Sequence, residues 1–191
     1  MLPGAYLLGT FPSAQIVARS KGIDITTVGS GNPGASNIAR TMGTTWGVAV
    51  FLLDAIKGTI PAVVGLLAVG PGGAYALVAA AVAGHMFPIT RGFRGGKGVA
   101  TVGGAMVVLQ PVVFAALLLL WTVVRSTTGR ASLGSLAIAA GLPIGVALTR
   151  SPGWEIAAAA ALSSVVLIRH ADNIKRLFGG AELAASRRPD R

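Results

Sequence analysis

A ten-residue stretch, Gly29–Ile38, combines small residues with amide and hydroxyl side chains in a chain that is otherwise strongly apolar. Its three glycines let backbone N–H groups turn toward a common point. The side chains of four further residues add hydrogen-bonding groups: Ser30, Asn32, Ser36 and Asn37. A neutral, donor-rich loop of this kind suits an anion, so we expect it to bind a phosphate group. Arg40 adds a positive charge directly beyond the loop.

A second polar stretch surrounds Lys97. Gly95, Gly96 and Gly98 allow the backbone to approach a ligand closely, while Lys97 supplies a mobile cation, a combination that also suits phosphate. We therefore expect Lys97 to contact a ligand. For Arg91 we expect anchoring at lipid headgroups instead.

Neither glycine cluster fits a nucleotide-binding motif. Gly29, Gly31 and Gly34 have the dinucleotide-binding spacing, but they lie between apolar segments of membrane type and not in a βαβ unit. Near Lys97, Arg91 stands where a P-loop requires its first glycine, and Gly98 replaces the required Ser or Thr. Nucleotide binding is therefore not expected.

A third polar stretch, Arg169–Leu177, lies near the end of the chain. If it is helical, His170, Asn173 and Leu177 share one face. We expect His170 and Asn173 to contact a substrate, with Glu182 as a supporting residue. Ser132, at the start of an apolar segment, is a further candidate.

Three charged or titratable residues are expected to support the polar loops. Asp54 and Lys57 lie three residues apart within an apolar segment, where charges are usually paired or functional. Either the two residues form an ion pair with each other, or Asp54 orients a cation of the active site. His85 precedes Phe87-Pro88 at the end of an apolar segment. We slightly favour a structural role for His85, in which it holds the loop by hydrogen bonds, over a catalytic role.

The composition places the chain among membrane proteins. Of its 191 residues, 53% are apolar and 12% charged, with a mean hydropathy of +0.72, whereas soluble domains carry about 25% charged residues. Cysteine is absent and there are two histidines, so no metal site is expected. We expect an all-α integral membrane protein whose residues 1–191 form a single domain.

Seven apolar segments can be read as short or broken transmembrane helices. Their approximate bounds are 2–18, 45–69, 74–89, 99–109, 112–124, 133–149 and 154–168. The first could be a signal peptide, but it lacks a basic start and a small-residue cleavage site.

The distribution of basic residues predicts the orientation. With seven spans and the first loop in the cytoplasm, fourteen of the sixteen Lys and Arg residues lie inside. They are Arg19, Lys21, Arg40, Arg91, Arg94, Lys97, Arg125, Arg130, Arg169, Lys175, Arg176, Arg187, Arg188 and Arg191. Arg150 then lies outside and Lys57 within a span. The N-terminus is predicted outside and the C-terminus in the cytoplasm, and all three polar stretches lie on the cytoplasmic face. The net charge of +10 then reflects topology, and nucleic-acid binding is not expected.

The three stretches resemble the signature motifs of the bacterial acyl-phosphate:glycerol-3-phosphate acyltransferases. The matching segments are Gly29–Asn37, Gly84–Pro88 with Gly95–Thr101, and Arg169–Leu177 with Glu182. The resemblance extends from Tyr6 to Glu182. Ser36 stands where the family usually has Thr, and Thr26 replaces a commonly basic residue, which puts a substrate contact there in doubt.

The resemblance implies a seven-span enzyme of the bacterial inner membrane. It would transfer a fatty acyl group from acyl phosphate to the 1-hydroxyl of glycerol 3-phosphate, giving lysophosphatidic acid and inorganic phosphate. Because acyl phosphate is already activated, no covalent intermediate, metal or cofactor is needed. The His-x-x-x-x-Asp dyad of the soluble-type acyltransferases is absent. A monomer is expected.

The residues and the resemblance together assign the following roles. The catalytic residues are Ser30, Lys97, Ser132, His170 and Asn173. The acyl-phosphate-binding residues are Gly31, Asn32, Gly34, Ser36, Asn37, Gly95 and Gly96. The residues that bind glycerol 3-phosphate are Arg40, Lys97, Ser132, His170 and Asn173. The supporting residues are Asp54, Lys57, His85 and Glu182.

Two questions stay open in the sequence. A membrane transporter of a phosphate-bearing solute also suits glycine-broken helices and buried charges, although no inverted repeat is visible. The proton of the attacking hydroxyl could go to His170 or to a phosphate oxygen of the substrate, and we favour the phosphate.

Overall fold

A computed structural model describes residues 1–185 as helices joined by short loops, with no β-strand in that range. Arg187, Arg188 and Arg191, which we predict to be cytoplasmic, lie outside the described residues. The ten α-helices run as follows: α1 Leu2–Gly9, α2 Ser13–Arg19, α3 Ala35–Met42, α4 Thr44–Ala68, α5 Pro71–Met86, α6 Val99–Leu109, α7 Pro111–Thr128, α8 Ala131–Leu148, α9 Gly153–Arg169 and α10 Ala171–Phe178. A single 3₁₀ turn occupies Ile89–Arg91.

The chain divides into two compact units. The first contains Met1–Val108 and the second Leu109–Ala184. In the first unit α5 packs against α1 and α4, and α3 packs against α4. In the second unit α8 packs against both α7 and α9.

Small residues bring the helices of the first unit close together. A side chain at Gly9 of α1 would collide with the backbone of Ala81 in α5, and one at Gly84 of α5 would collide with Tyr6. Close approach of this kind is typical of helices packed in a membrane. It fixes the end of α5, from which the Lys97 loop begins.

The first apolar segment, expected over residues 2–18, is divided into two helices. Pro12 stands between α1 and α2 and has no N–H group to continue the helical ladder. The Tyr6 hydroxyl donates to Phe87 O (2.7 Å) and accepts from Ile89 N (3.0 Å), which ties α1 to the end of α5.

The stretch Gly29–Ile38, expected as a loop, becomes helical from Ala35 onward. Ile38 of α3 is fully buried and belongs to a core cluster with Ala18, Ile25 and Val50. This cluster joins α2, α3 and α4 beneath the loop. Burial of Ile38 therefore selects the helix that composition alone did not indicate.

Four helices are long and apolar enough to span a membrane within the described part of the chain. They are Thr44–Ala68, Pro71–Arg91, Pro111–Thr128 and Ala131–Leu148, the second including the 3₁₀ turn. Helices α9 and α10, bent by 56° at their junction, form a fifth if they are counted as one broken span. The remaining expected segments are shorter helices.

Candidate active site

The loop of the first unit is organised around Asn37, whose side chain is 2% exposed. Its Oδ1 accepts from the backbone N–H of Ser30 (2.9 Å) and from Arg40 Nη1 (3.3 Å). Its Nδ2 donates to the carbonyl oxygens of Ile25 (3.2 Å) and Val28 (3.0 Å). We call these five residues the Asn37 network. It brings Ser30 and Arg40, both expected site residues, into one hydrogen-bonded group.

The other residues of the loop are placed more openly. Ser30, Gly31, Asn32 and Gly34 are half-buried, and Ser36 is exposed at the start of α3. Gly31 has a left-handed φ of 67°, and a side chain on it would press against Thr26 O. Thr26 itself donates from both its backbone N–H and its hydroxyl to Asp24 Oδ1. These hydrogen bonds lower the pKa of the exposed Asp24 carboxyl.

The Lys97 loop returns to the end of α5 through its glycines. Gly95 N donates to Met86 O and Gly96 N to His85 O, both at 3.1 Å. A side chain on Gly96 would overlap the His85 ring. Contact of Gly95 and Gly96 with acyl phosphate stays a prediction, but in this structure their N–H groups already serve the turn that presents Lys97.

The expected ion pair of Asp54 and Lys57 is confirmed, and it is buried. Lys57 Nζ lies 2.7 Å from Asp54 Oδ1, and both side chains are 3–4% exposed. Lys57 also donates to Phe11 O at 2.6 Å, next to the break at Pro12. His85 Nδ1 lies 3.8 Å from the same Asp54 oxygen. The pair therefore connects the α1–α2 break with the His85 end of α5.

Arg91 makes a hydrogen bond that the sequence did not indicate. Its Nη2 donates to Thr10 O at 2.9 Å, so this guanidinium caps the end of α1 instead of serving only as the expected headgroup anchor. The signal that could have found this contact, and that of Lys57 with Phe11, is the helix break at Pro12, which leaves nearby carbonyl groups in need of donors.

In the second unit His170 lies at the junction of α9 and α10. It is 3% exposed, and its Nδ1 lies 2.8 Å from Val166 O. Because a carbonyl oxygen can only accept, Nδ1 carries a proton in this contact, and in the neutral form of the ring Nε2 is then the acceptor. The backbone thus fixes the orientation of the imidazole.

The Glu182 carboxylate accepts hydrogen bonds from two residues of the second unit, one of which is the expected site residue Asn173. Its Oε1 accepts from Asn173 Nδ2 (2.6 Å) and its Oε2 from Arg176 Nε (2.9 Å). Burial raises the pKa of this carboxyl, but interactions with Ser132, Asn173 and Arg176 outweigh burial and leave the pKa below its ordinary value. We call Glu182, Asn173 and Arg176 the Glu182 cluster.

Ser132 lies in the first turn of α8, close enough to influence Glu182. Its hydroxyl is buried and makes no hydrogen bond of ordinary geometry with any of residues 1–185. A buried hydroxyl without such a partner is uncommon. Contact of Ser132 with a ligand stays a prediction.

Comparison with known proteins shows where this chain belongs. The family model for glycerol-3-phosphate acyltransferase matches residues 1–180. The Geobacter sulfurreducens glycerol-3-phosphate acyltransferase is 37% identical over 179 residues, covering 93% of this chain and 92% of the relative. The Clostridioides difficile glycerol-3-phosphate acyltransferase is 40% identical over 185 residues, covering 93% and 90%.

Solved structures agree with the sequence relatives. PlsY (YgiH), an integral membrane glycerol 3-phosphate acyltransferase, superposes in its glycerol 3-phosphate form with a TM-score of 0.92 and 34% identity, covering 96% of this chain and 92% of that structure. Its lysophosphatidic acid form gives a TM-score of 0.89 with the same identity and coverage.

The fold and these matches define a multi-pass membrane enzyme of the acyltransferase class. The chain belongs to the glycerol-3-phosphate acyltransferase family. The resemblance noted from its motifs is thereby confirmed, and the transporter alternative is not favoured.

Proposed function

We propose that this protein transfers a fatty acyl group from acyl phosphate to the 1-hydroxyl of glycerol 3-phosphate. The products are lysophosphatidic acid and inorganic phosphate. The observation that carries the proposal is the match over nearly the whole chain to a structure solved with glycerol 3-phosphate. The loop residues support it independently, because both substrates carry phosphate and the first unit offers a neutral donor-rich loop and a lysine among glycines.

Residues from both units are assigned to this reaction. In the first unit, Ser30, Gly31, Asn32, Gly34 and Ser36 form the neutral site for acyl phosphate, together with Gly95 and Gly96. Arg40 and Lys97 supply positive charge for glycerol 3-phosphate, and Lys97 also acts on the reacting phosphate.

In the second unit, Ser132, His170 and Asn173 bind and orient glycerol 3-phosphate, and Glu182 supports Asn173. The family model includes residues of both units, which supports treating residues 1–191 as a single functional domain.

The reaction needs a proton acceptor as well as alignment. The hydroxyl oxygen attacks the acyl carbonyl carbon, the bond from that carbon to the phosphate oxygen breaks, and the hydroxyl proton must leave. We assign the proton to an oxygen of the departing phosphate, whose second pKa lies near 6. His170 then orients glycerol 3-phosphate through a hydrogen bond to a group other than the attacking hydroxyl, whose single proton goes to the phosphate.

Catalysis under this proposal is mainly positioning and charge stabilisation. Positioning contributes about 7–11 kcal/mol, and each donor to the developing oxyanion about 3 kcal/mol. No group on the enzyme needs to form a covalent bond with the acyl chain. The reaction therefore proceeds without metal or cofactor.

The membrane arrangement forms part of the proposal. We assign seven spans in the bacterial inner membrane, with the N-terminus outside and the polar loops and C-terminus in the cytoplasm. The distribution of basic residues supports this topology. Four or five helices of the described residues are long and apolar enough to span a membrane, and we assign the remaining spans to the shorter helices. A monomer is proposed.

The direct test uses purified protein in detergent with glycerol 3-phosphate and an acyl phosphate. We expect release of inorganic phosphate and formation of lysophosphatidic acid without any membrane gradient. Phosphate release that does not depend on glycerol 3-phosphate, or no release at all, would refute the proposed function.

A further inference from the structure

The amide of Asn37 has no hydrogen-bonding capacity left for a ligand. An asparagine side chain offers two N–H donors and an oxygen with two lone pairs. In the first unit both donors go to carbonyl oxygens, those of Ile25 and Val28. Both lone pairs receive N–H groups, one from the Ser30 backbone and one from Arg40.

Burial supports the same conclusion. The side chain is 2% exposed, so a phosphate reaching it would displace internal partners. Such partners are costly to leave unpaired in a buried place. Direct binding of acyl phosphate, which the sequence predicts for Asn37, would therefore require these internal hydrogen bonds to break.

Gly29 shows that the surrounding backbone is shaped to this amide. Its φ of 60° is left-handed, and a side chain there would overlap Asn37 Oδ1. Glycine is thus required both by the turn and by the space that the amide occupies.

We infer that Asn37 is a positioning residue, which acts by orienting the Arg40 guanidinium and the Ser30 backbone instead of touching acyl phosphate. This inference rests on the proposed function and refines it. The two residues it holds are the ones assigned to glycerol 3-phosphate binding and to catalysis. Recognition of glycerol 3-phosphate then depends on an amide that never meets the substrate.

The test measures KM for each substrate separately, and kcat, in Asn37→Ala, Arg40→Ala and the double variant. Asn37→Ala should raise KM for glycerol 3-phosphate by about tenfold, because Arg40 loses the acceptor that Asn37 provides. In the Arg40→Ala background the same change should not raise this KM further. Effects of the two changes that simply multiply would overturn the inference.

Asn37→Asp separates positioning from direct binding. The carboxylate keeps an acceptor for Arg40 and for the Ser30 N–H, although its second oxygen cannot donate to Ile25 and Val28 as Nδ2 does. In the folded fraction, KM for glycerol 3-phosphate should therefore stay nearer the wild-type value than in Asn37→Ala. A direct phosphate ligand would behave in the opposite way. Repulsion would make Asn37→Asp the worst variant in KM for acyl phosphate, and that result would also overturn the inference.

Two further variants guard against simple loss of folding. Gly29→Ala should reproduce the rise in KM for glycerol 3-phosphate, because its side chain displaces the Asn37 oxygen. Thr27→Ala removes one exposed hydrogen bond from the same loop and should behave like the wild type. Kinetics are taken on the monodisperse fraction from size-exclusion chromatography. An inactive wild type would refute the proposed function, whereas an active wild type with an unchanged Gly29→Ala would refute the inference alone.

Discussion

In the first unit the polar loop is organised by an uncharged amide, Asn37, whereas in the second unit the residues around Asn173 are organised by a carboxylate, Glu182. Both organising side chains are nearly inaccessible, at 2% for Asn37 and 3% for Glu182. The amide needs no partner of opposite charge and does not titrate, so its hold on Ser30 and Arg40 is independent of pH. The carboxylate binds its donors more strongly but works only when it is ionised.

The difference shows where each unit can tolerate charge. In the first unit we assign the positive charges of Arg40 and Lys97 to the substrates. In the second unit Arg176 forms an ion pair with Glu182, and the residues assigned to glycerol 3-phosphate include the uncharged Ser132 and Asn173. A charge introduced into the two regions should therefore have different consequences.

The largest effect is expected from Lys97→Ala. Removing the cation that the glycines present should nearly abolish turnover, because a phosphate in the transition state loses its main counter-charge. The matched control is Arg94→Ala, which removes an exposed cation from the same loop and should leave kcat close to the wild-type value. Initial rates of phosphate release measure both, and comparable losses in the two variants would show that general positive charge matters, not Lys97.

Asn173→Asp compared with Asn37→Asp tests the contrast directly. At position 173 the new carboxylate would face Glu182 Oε1, now 2.6 Å from the Asn173 amide, and like charges so close cannot both stay ionised. We expect kcat to fall about a hundredfold and the melting temperature to drop. Asn37→Asp should lower kcat less, since its carboxylate faces Arg40, although it loses the hydrogen bonds that Nδ2 donates to Ile25 and Val28. Equal losses of kcat in the two variants would show that the amide-centred and carboxylate-centred regions do not differ in their tolerance of a new negative charge.

His170→Gln keeps a hydrogen-bonding side chain and removes the titratable ring. We expect a few per cent of activity to remain, about a 30-fold loss, with an unchanged dependence of kcat on pH. The pH profile from 5 to 9 provides the measurement. Loss of a wild-type limb with a pKa near 6.5 would instead make His170 the base and contradict the assignment of the proton to phosphate.

The smallest effect concerns stability in acid. The pKa of Glu182 is lower in the folded protein than its ordinary 4.5, so its contribution to stability is complete above that value. It is lost as pH falls through the lower folded pKa. The melting-temperature difference between wild type and Glu182→Gln should therefore shrink on acidification below the ordinary value. A difference that stays constant with pH would mean that the carboxylate charge does not stabilise the cluster.

Much of the helical framework could be predicted from the sequence, because apolar runs mark membrane helices directly. The segment expected at Val99–Leu109 is α6 with the same bounds. The sequence does not predict helix α3, because its residues are largely polar. The burial of Ile38 against α2 and α4 becomes visible only in the folded protein. Side-chain roles were harder still. The motif indicated that Asn37 mattered, but its carbonyl partners, Ile25 and Val28, become visible only once the chain has folded.

Lys57 and Arg91 also connect the end of α1 with later parts of the chain. The carbonyl groups of Thr10 and Phe11 receive donors from residues 81 and 46 positions further along the chain. The helix α1 and its end therefore cannot satisfy these two carbonyl groups by themselves. This hydrogen bonding is complete only once α4 and the turn after α5 are in place, so the end of α1 depends on parts of the chain that lie far from it in sequence.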